Sequence, residues 1–128
     1  MSMAADIASL ELIAAVHQST KMDQAAFNHL VHRLQQHVTH FEWVGLYLKD
    51  TDENQLNLKA TAGEQSTESI ARKAILQVPI LNQEQQIIGK FTITSKKAIA
   101  FDESDYTSLA ALAKELGKKI EQTKKSHQ

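Results

Sequence analysis

Four of the histidines cluster in one predicted helical segment, as His29, His32, His37 and His40. Imidazole nitrogens ligate zinc, copper and nickel, so such a cluster is a candidate metal site. Helical geometry argues against this, because no two of the four are spaced i,i+4 and the outer two lie about 16 Å apart along the axis. The i,i+3 pairs also lack an acidic residue one turn away on the helix. We therefore expect a solvated helix face and no metal.

The residue types that most enzymes use are missing or wrongly spaced. The 128 residues include no cysteine, so thiol nucleophiles, cysteine-ligated zinc and iron–sulfur clusters are excluded. No Ser-His-Asp order, Gly-rich phosphate loop or His-Glu-x-x-His spacing occurs either. We expect that the chain is not an enzyme and holds no cofactor. The chain has a net charge of −1, and few aromatic residues lie among its C-terminal lysines. Because nucleic-acid binding favours positive charge interleaved with aromatic side chains, we do not expect nucleic acid as a partner.

One face of the predicted sheet combines aromatic and hydrogen-bonding side chains from three strands. Its residues are Trp43, Gly45, Tyr47, Gln77, Lys90, Thr92 and Thr94. Amphipathic rings provide contact area for a small molecule, and a few polar groups orient it. The predicted ligand-binding side chains are Trp43, Tyr47, Gln77, Thr92 and Thr94. The alternative is a half-exposed sheet face that is covered only by the loop at 64–73.

Hydrophobic periodicity predicts the elements that position this face. Helices are expected at about 4–19, 22–41 and 102–123, with a sheet of four strands over about 42–95. This order predicts one α+β domain, with a mainly antiparallel sheet and helices collected on one face. Pro79 has no amide hydrogen to donate to a neighbouring strand. We therefore expect either that its strand lies at the edge of the sheet or that Pro79 lies near the end of its strand. Asp102 and Asp105 are spaced to begin the last helix.

The apolar residues of the first helix extend over more than half of its circumference. A helix that touches one sheet needs an apolar stripe only about 100° wide, so this helix should have two packing partners. One of them could be a second copy of the protein. Leu12, Ile13 and Val16 are the predicted dimer interface.

Several segments, taken in order, resemble a GAF domain. They are Trp43–Leu48, Leu56–Gly63, Val78–Ile80, Ile87–Phe91 and Phe101–Asp105. Within GAF proteins, the nearest branch is the stand-alone free methionine-R-sulfoxide reductases. The resemblance covers most of residues 41 to 122 and implies a PAS-like antiparallel sheet with the N- and C-terminal helices on one face. It also implies a ligand pocket on the opposite face, beneath a lid of loops and short helices.

The sequence departs from the reductase branch at the residues that carry its chemistry. Trp43 and Tyr47 match aromatic residues that contact substrate there. The segment that carries the redox cysteines in that branch is reduced here to about Glu64–Lys73, without cysteine. The positions of the acidic pocket residues are occupied by Ile75, Thr92 and Thr94. Sulfoxide reduction by that route, and bilin attachment through cysteine, are therefore not expected.

These features together predict a non-catalytic, GAF-like sensory or regulatory domain, with a role in signalling, that binds a small effector or a protein partner. The alternatives are a structural homodimerisation module without a ligand and, more remotely, a methionine sulfoxide reductase-like enzyme. A homodimer is expected to form through the terminal helices. The N-terminus has no basic region before an apolar run, and no apolar run approaches about 20 residues. Hence we expect a cytoplasmic protein without membrane contact.

Overall fold

The computed structural model describes residues 5–38, 40–50, 55–64, 74–95 and 101–125. Their secondary structure follows the predicted order of helices and strands. The elements are α1 (Ala5–Gln18), α2 (Gln24–His37), β1 (Trp43–Lys49), β2 (Leu56–Gly63), β3 (Ala74–Leu81), β4 (Ile87–Ser95) and α3 (Glu103–Lys125). None of the helices in the described part of the chain combines the length and apolarity that a bilayer crossing requires.

The four strands form one antiparallel sheet in the order β2-β1-β4-β3, which confirms the predicted α+β architecture. Since β3 lies at the edge of the sheet, the expectation for Pro79 is confirmed as well. Helix α2 packs on β1 and β2, and α3 packs on β3 and β4. The sheet side chains beneath these helices are fully buried: Val44, Leu46, Val78, Ile80, Phe91 and Ile93. We call this the inner face.

Helix α1 packs against α3 and, less extensively, against α2. Both partners are therefore helices of the same chain. Leu12 and Val16 are each only 2 % exposed, so they are core residues of the single chain and are not available to a second copy. This corrects the prediction that these two residues form a dimer interface. The physical reason is that α1 packs against α3 and α2 of its own chain. The Lys119 ammonium of α3 also donates to the carbonyl oxygens of His17 and Ser19, at 3.3 and 3.0 Å.

Helix α2 ends four residues earlier than the periodicity predicts. Val38 has an extended backbone (φ −113°, ψ 102°), and its amide donates to the carbonyl of Leu34. Phe41 is nevertheless buried, because the chain has already turned towards the sheet, where the Glu42 amide donates to the Thr94 carbonyl at 2.9 Å. A buried residue beyond a helix can continue the apolar pattern of that helix.

The N-terminus of α3 is closed by reciprocal hydrogen bonds between two aspartates, as their spacing predicts. Asp102 Oδ1 accepts from the Asp105 amide at 2.9 Å, and Asp105 Oδ2 accepts from the Asp102 amide at 3.1 Å. Hydrogen bonds from the Ser104 hydroxyl and the Asp105 amide hold the pKa of Asp102 below its ordinary value. His40 Nε2 lies 3.1 Å from the same Oδ2 atom of the buried Asp105 and joins this cap to the end of α2.

Candidate functional site on the outer face of the sheet

Strand pairing places the predicted ligand-binding residues in neighbouring rows across β1, β4 and β3. The rows are Trp43–Thr94–Ile75, Gly45–Thr92–Gln77 and Tyr47–Lys90–Pro79. Residues that pair across antiparallel strands project to the same side of the sheet, about 5 Å apart. All five predicted side chains therefore share the side opposite the helices, which we call the outer face. The structure brings them together as the alternation predicts.

Trp43 lies across the backbone of its own strand. Its indole occupies the space in which a side chain at position 45 would stand, since a Cβ built on Gly45 would lie 2.8 Å from the indole Cζ3. Only glycine leaves that space free. The ring is buried there and forms an apolar platform in the middle of the outer face.

Two threonine hydroxyls beside this platform have no hydrogen-bond partner among the described residues. The Oγ1 atoms of Thr92 and Thr94 are both inaccessible to solvent. Leaving a buried hydroxyl unsatisfied costs about 1–3 kcal/mol, and buried polar groups in folded proteins are rarely left in that state. Within the part of the chain that the structure describes, no polar group satisfies either hydroxyl.

Lys90 holds a positive charge at the other end of the outer face. Its ammonium lies 5.0 Å from the centroid of the Tyr47 ring and donates to Gln77 Oε1 at 3.4 Å. A cation above a tyrosine ring is attracted by the quadrupole of the ring and can still pair with an anion. Sequence reasoning put Lys90 on this face but not among the ligand-binding residues. Only the pairing of β1 with β4 shows that it lies over Tyr47.

The predicted lid, at 64–73, falls outside the described residues except for Glu64. A groove of about 530 Å³ lies elsewhere, between β3 and α3. The sequence pattern does not predict this groove, because its walls come from elements that are distant along the chain. Of the outer-face residues named above, Pro79 alone lines this groove.

The four histidines of the predicted cluster have different surroundings in the structure. His29 and His32 are exposed, as expected for a solvated helix face. His37 contacts Arg33 Nη1 at 2.7 Å. The interpretation of His40 as a solvated helix residue is wrong, because it lies beyond the end of α2, half-buried beside Asp105. Among the described residues, no three histidine, aspartate or glutamate side chains are grouped so that they could hold a metal ion.

No family model matches the sequence, and no curated protein matches it. Several solved structures, in contrast, match the fold of this chain. The free methionine-R-sulfoxide reductase from Neisseria meningitidis, in complex with its substrate, has a TM-score of 0.72 and 22% identity, covering 98% of this chain and 97% of that chain. The GAF domain from Acinetobacter phosphoenolpyruvate-protein phosphotransferase has a TM-score of 0.73 and 14% identity, covering 98% and 97%. The fRMsr of Staphylococcus aureus, in complex with substrate, has a TM-score of 0.70 and 18% identity, covering 91% and 95%.

These comparisons contradict the prediction that the chain is not an enzyme. That prediction is wrong because the structures that share its fold include reductases as well as GAF domains. The resemblance to a GAF protein without cysteines is confirmed by the same neighbours and by the absence of cysteine from the sequence. The chain has the GAF-like fold that GAF domains and free methionine-R-sulfoxide reductases have in common.

Proposed function

We propose that this protein is a regulatory domain that binds a small effector on the outer face of its sheet. The observation that carries the proposal is the pair of buried, unpartnered hydroxyls of Thr92 and Thr94 beside the Trp43 platform. The GAF-like fold supports a ligand-binding role. Tyr47 and Gln77 complete the proposed site.

The arrangement of these groups restricts the chemistry of the effector. Thr92 and Thr94 are two residues apart on one strand, so their side chains lie about 7 Å from each other. An effector that satisfies both needs two polar groups at that separation. It also needs an apolar part against Trp43, and a carboxylate or phosphate would be attracted to Lys90. Free amino acids, their oxidised derivatives and nucleotides meet these conditions.

The proposal is tested by titrating the protein with free methionine sulfoxide, methionine, glutamate and AMP. Because Trp43 is the single tryptophan, its fluorescence reports directly on the outer face. A ligand at 100 times its dissociation constant stabilises the folded state by about 2.7 kcal/mol, which thermal unfolding detects. We expect at least one of these probes to change both signals. Consumption of methionine sulfoxide with a thiol reductant, followed in the same samples, distinguishes turnover from binding.

Replacing Thr94 by valine should separate stability from binding. Valine has nearly the same shape and removes the unpartnered hydroxyl, so we expect the free protein to become more stable by about 1 kcal/mol. Binding of any active probe should weaken at least about tenfold, which corresponds to the loss of about 1.4 kcal/mol. Denaturant unfolding and fluorescence titration measure the two effects. Thr20→Val, at an exposed position between α1 and α2, is the matched control. Unchanged affinity in Thr94→Val would contradict the proposed site.

A second function is homodimerisation through α1. It is favoured by a stripe of apolar side chains on the side of α1 that faces away from α2 and α3. Ile7 and Leu10 are 51% and 67% exposed, and Ala14 continues the stripe one turn further along the helix. Positions i, i+3 and i+7 lie on one side of a helix. The stripe is distinct from the buried Leu12 and Val16, and the half-buried Ile13 lies beside the core. An effector site and this dimer surface are compatible.

Replacing Leu10 by glutamate should abolish such a dimer and leave the fold intact, because the side chain is exposed in the single chain. We expect light scattering to give twice the chain mass for the wild type and the single-chain mass for Leu10→Glu. Gln18→Glu, which adds the same charge at another exposed position of α1, serves as the control. A wild-type protein of single-chain mass at high concentration would contradict dimerisation through α1.

A further inference from the structure

The groove lies between α3 and β3, and the polar residues Asn82, Gln83 and Gln85 of the turn after β3 line it as well. One wall is a row of α3 side chains at four-residue intervals, and the other is the outer edge of β3. Tyr106, Ala110, Lys114 and Lys118 form the helical wall, and Val78, Pro79 and Leu81 line the strand. Its volume of about 530 Å³ is within the range of protein ligand sites.

Contacts at the far end of the groove hold its walls together. The Gln83 amide, in the turn after β3, donates to Glu121 Oε1 on α3 at 2.6 Å. Gly117 brings the helix against the carbonyl of Leu81, where no larger residue would fit. Asn82 Oδ1 accepts from the amides of Glu84 and Gln86 and so braces the same turn. The groove is therefore preformed and does not depend on a ligand for its shape.

The chemical character of the groove changes along its length. Tyr106, 44% exposed, provides an aromatic surface near the beginning of α3, and exposed Lys114 and Lys118 provide positive charge further along the helix. Lys114 has no ion-pair partner among the described residues. The Lys118 ammonium lies 3.8 Å from Glu115 Oε1, and the other oxygen of that carboxylate lies 3.1 Å from His17 Nε2. Of the other nearby acids, Glu121 accepts the Gln83 amide, and Glu84 does not line the groove. One end is apolar and the other cationic.

The length of the groove indicates an extended occupant. Tyr106 and Lys118 are twelve positions apart on α3, so their Cα atoms are about 18 Å apart along the helix axis. A peptide in extended conformation covers that distance with about five or six residues. Pro79 has no amide hydrogen, so the edge of β3 is a poor template for a complete added strand. A peptide would therefore bind mainly through its side chains.

We propose that this groove binds an extended acidic peptide segment of a partner protein. Apolar side chains of the segment contact Tyr106 and Ala110, and its carboxylates pair with Lys114 and Lys118. The site is independent of the outer face, so it adds a protein-interaction surface to the effector site proposed above.

The probe for this site is a fluorescein-labelled peptide with three apolar residues followed by three glutamates, Leu-Val-Phe-Glu-Glu-Glu. Its counterpart, Leu-Val-Phe-Lys-Lys-Lys, keeps the apolar half and reverses the charge. By fluorescence anisotropy we expect the acidic peptide to bind the wild-type protein and the basic peptide not to bind. Raising the salt concentration should weaken the complex, because exposed charges are screened.

Charge reversal in the groove makes the test specific. The Lys114→Glu, Lys118→Glu variant should bind the acidic peptide at least about tenfold more weakly, a loss of about 1.4 kcal/mol, and should bind the basic peptide instead. The control, Lys21→Glu, Lys49→Glu, makes the same change in net charge outside the groove and should keep the wild-type affinity. All four lysines are at least partly exposed, and circular dichroism verifies that both variants are folded.

Four results would overturn the proposal. They are no binding of the acidic peptide at millimolar concentration, equal binding of the two peptides, equal losses in the groove and control variants, and displacement of the peptide by the same concentration of free glutamate or phosphate. The last result would identify a site for small anions. None of them depends on whether an effector binds at the outer face.

Discussion

Replacing Gly117 by alanine is expected to destabilise the protein, although the same substitution stabilises most helices. In a helix interior, alanine is favoured over glycine by about 1 kcal/mol. Here a Cβ at position 117 would clash with the carbonyl oxygen of Leu81 and would lie 3.4 Å from Ile80 Cγ2. The carbonyl belongs to the strand backbone, so it cannot yield as a flexible side chain would. Overpacking at such sites costs about 1–3 kcal/mol, and the gain in helix propensity offsets about 1 kcal/mol of that cost, so we expect a net loss of about 1 kcal/mol.

Urea unfolding of the Gly117→Ala variant measures this effect. Ala111→Gly, at an exposed position of the same helix, is the control and should cost about 1 kcal/mol from helix propensity alone. The two substitutions are opposite in chemistry but should both lower the unfolding midpoint. A higher midpoint for Gly117→Ala would show that α3 and β3 do not approach as closely as the structure indicates. The variant should also weaken binding of the acidic peptide, because the groove depends on the same approach.

Replacing Gly45 by alanine should displace the indole of Trp43. The added methyl group would occupy the position of the ring, and the ring has to move because the backbone is fixed by pairing with β2 and β4. We expect the tryptophan emission to shift to longer wavelength and the free energy of unfolding to fall by about 1–3 kcal/mol. An effector that contacts Trp43 should bind far more weakly, or not at all.

Fluorescence spectra and urea unfolding of the Gly45→Ala variant test this prediction together. Thr20→Ala is a suitable control, because Thr20 is exposed in the connection between α1 and α2 and lies outside the sheet. It should leave the emission maximum unchanged. An unshifted emission in Gly45→Ala would mean that the indole does not rest on the backbone of β1. That result would remove the platform from the proposed effector site.

The outer-face residues could be predicted from sequence because side chains in a strand alternate with a period of two. Trp43 and Tyr47 share a face for this local reason, as do Thr92 and Thr94. Periodicity is less informative at the end of a helix, because Phe41 continues the apolar pattern of α2 but lies beyond the last residue of that helix. A periodicity argument records which residues are buried and not which element buries them.

Local patterning by itself determined the order of the helices and strands and the two faces of the sheet. For Pro79 it left a sheet edge and a strand end as alternatives. Tertiary structure decided that β1 lies beside β4, which places Lys90 over Tyr47. It also decided that α1 packs against α3, so that Leu12 is buried within the single chain, and that the edge of β3 and one side of α3 enclose a groove. The reason is physical. Alternation and helical periodicity depend on residues a few positions apart, whereas contacts between distant segments depend on which arrangement buries all the apolar faces of the chain together.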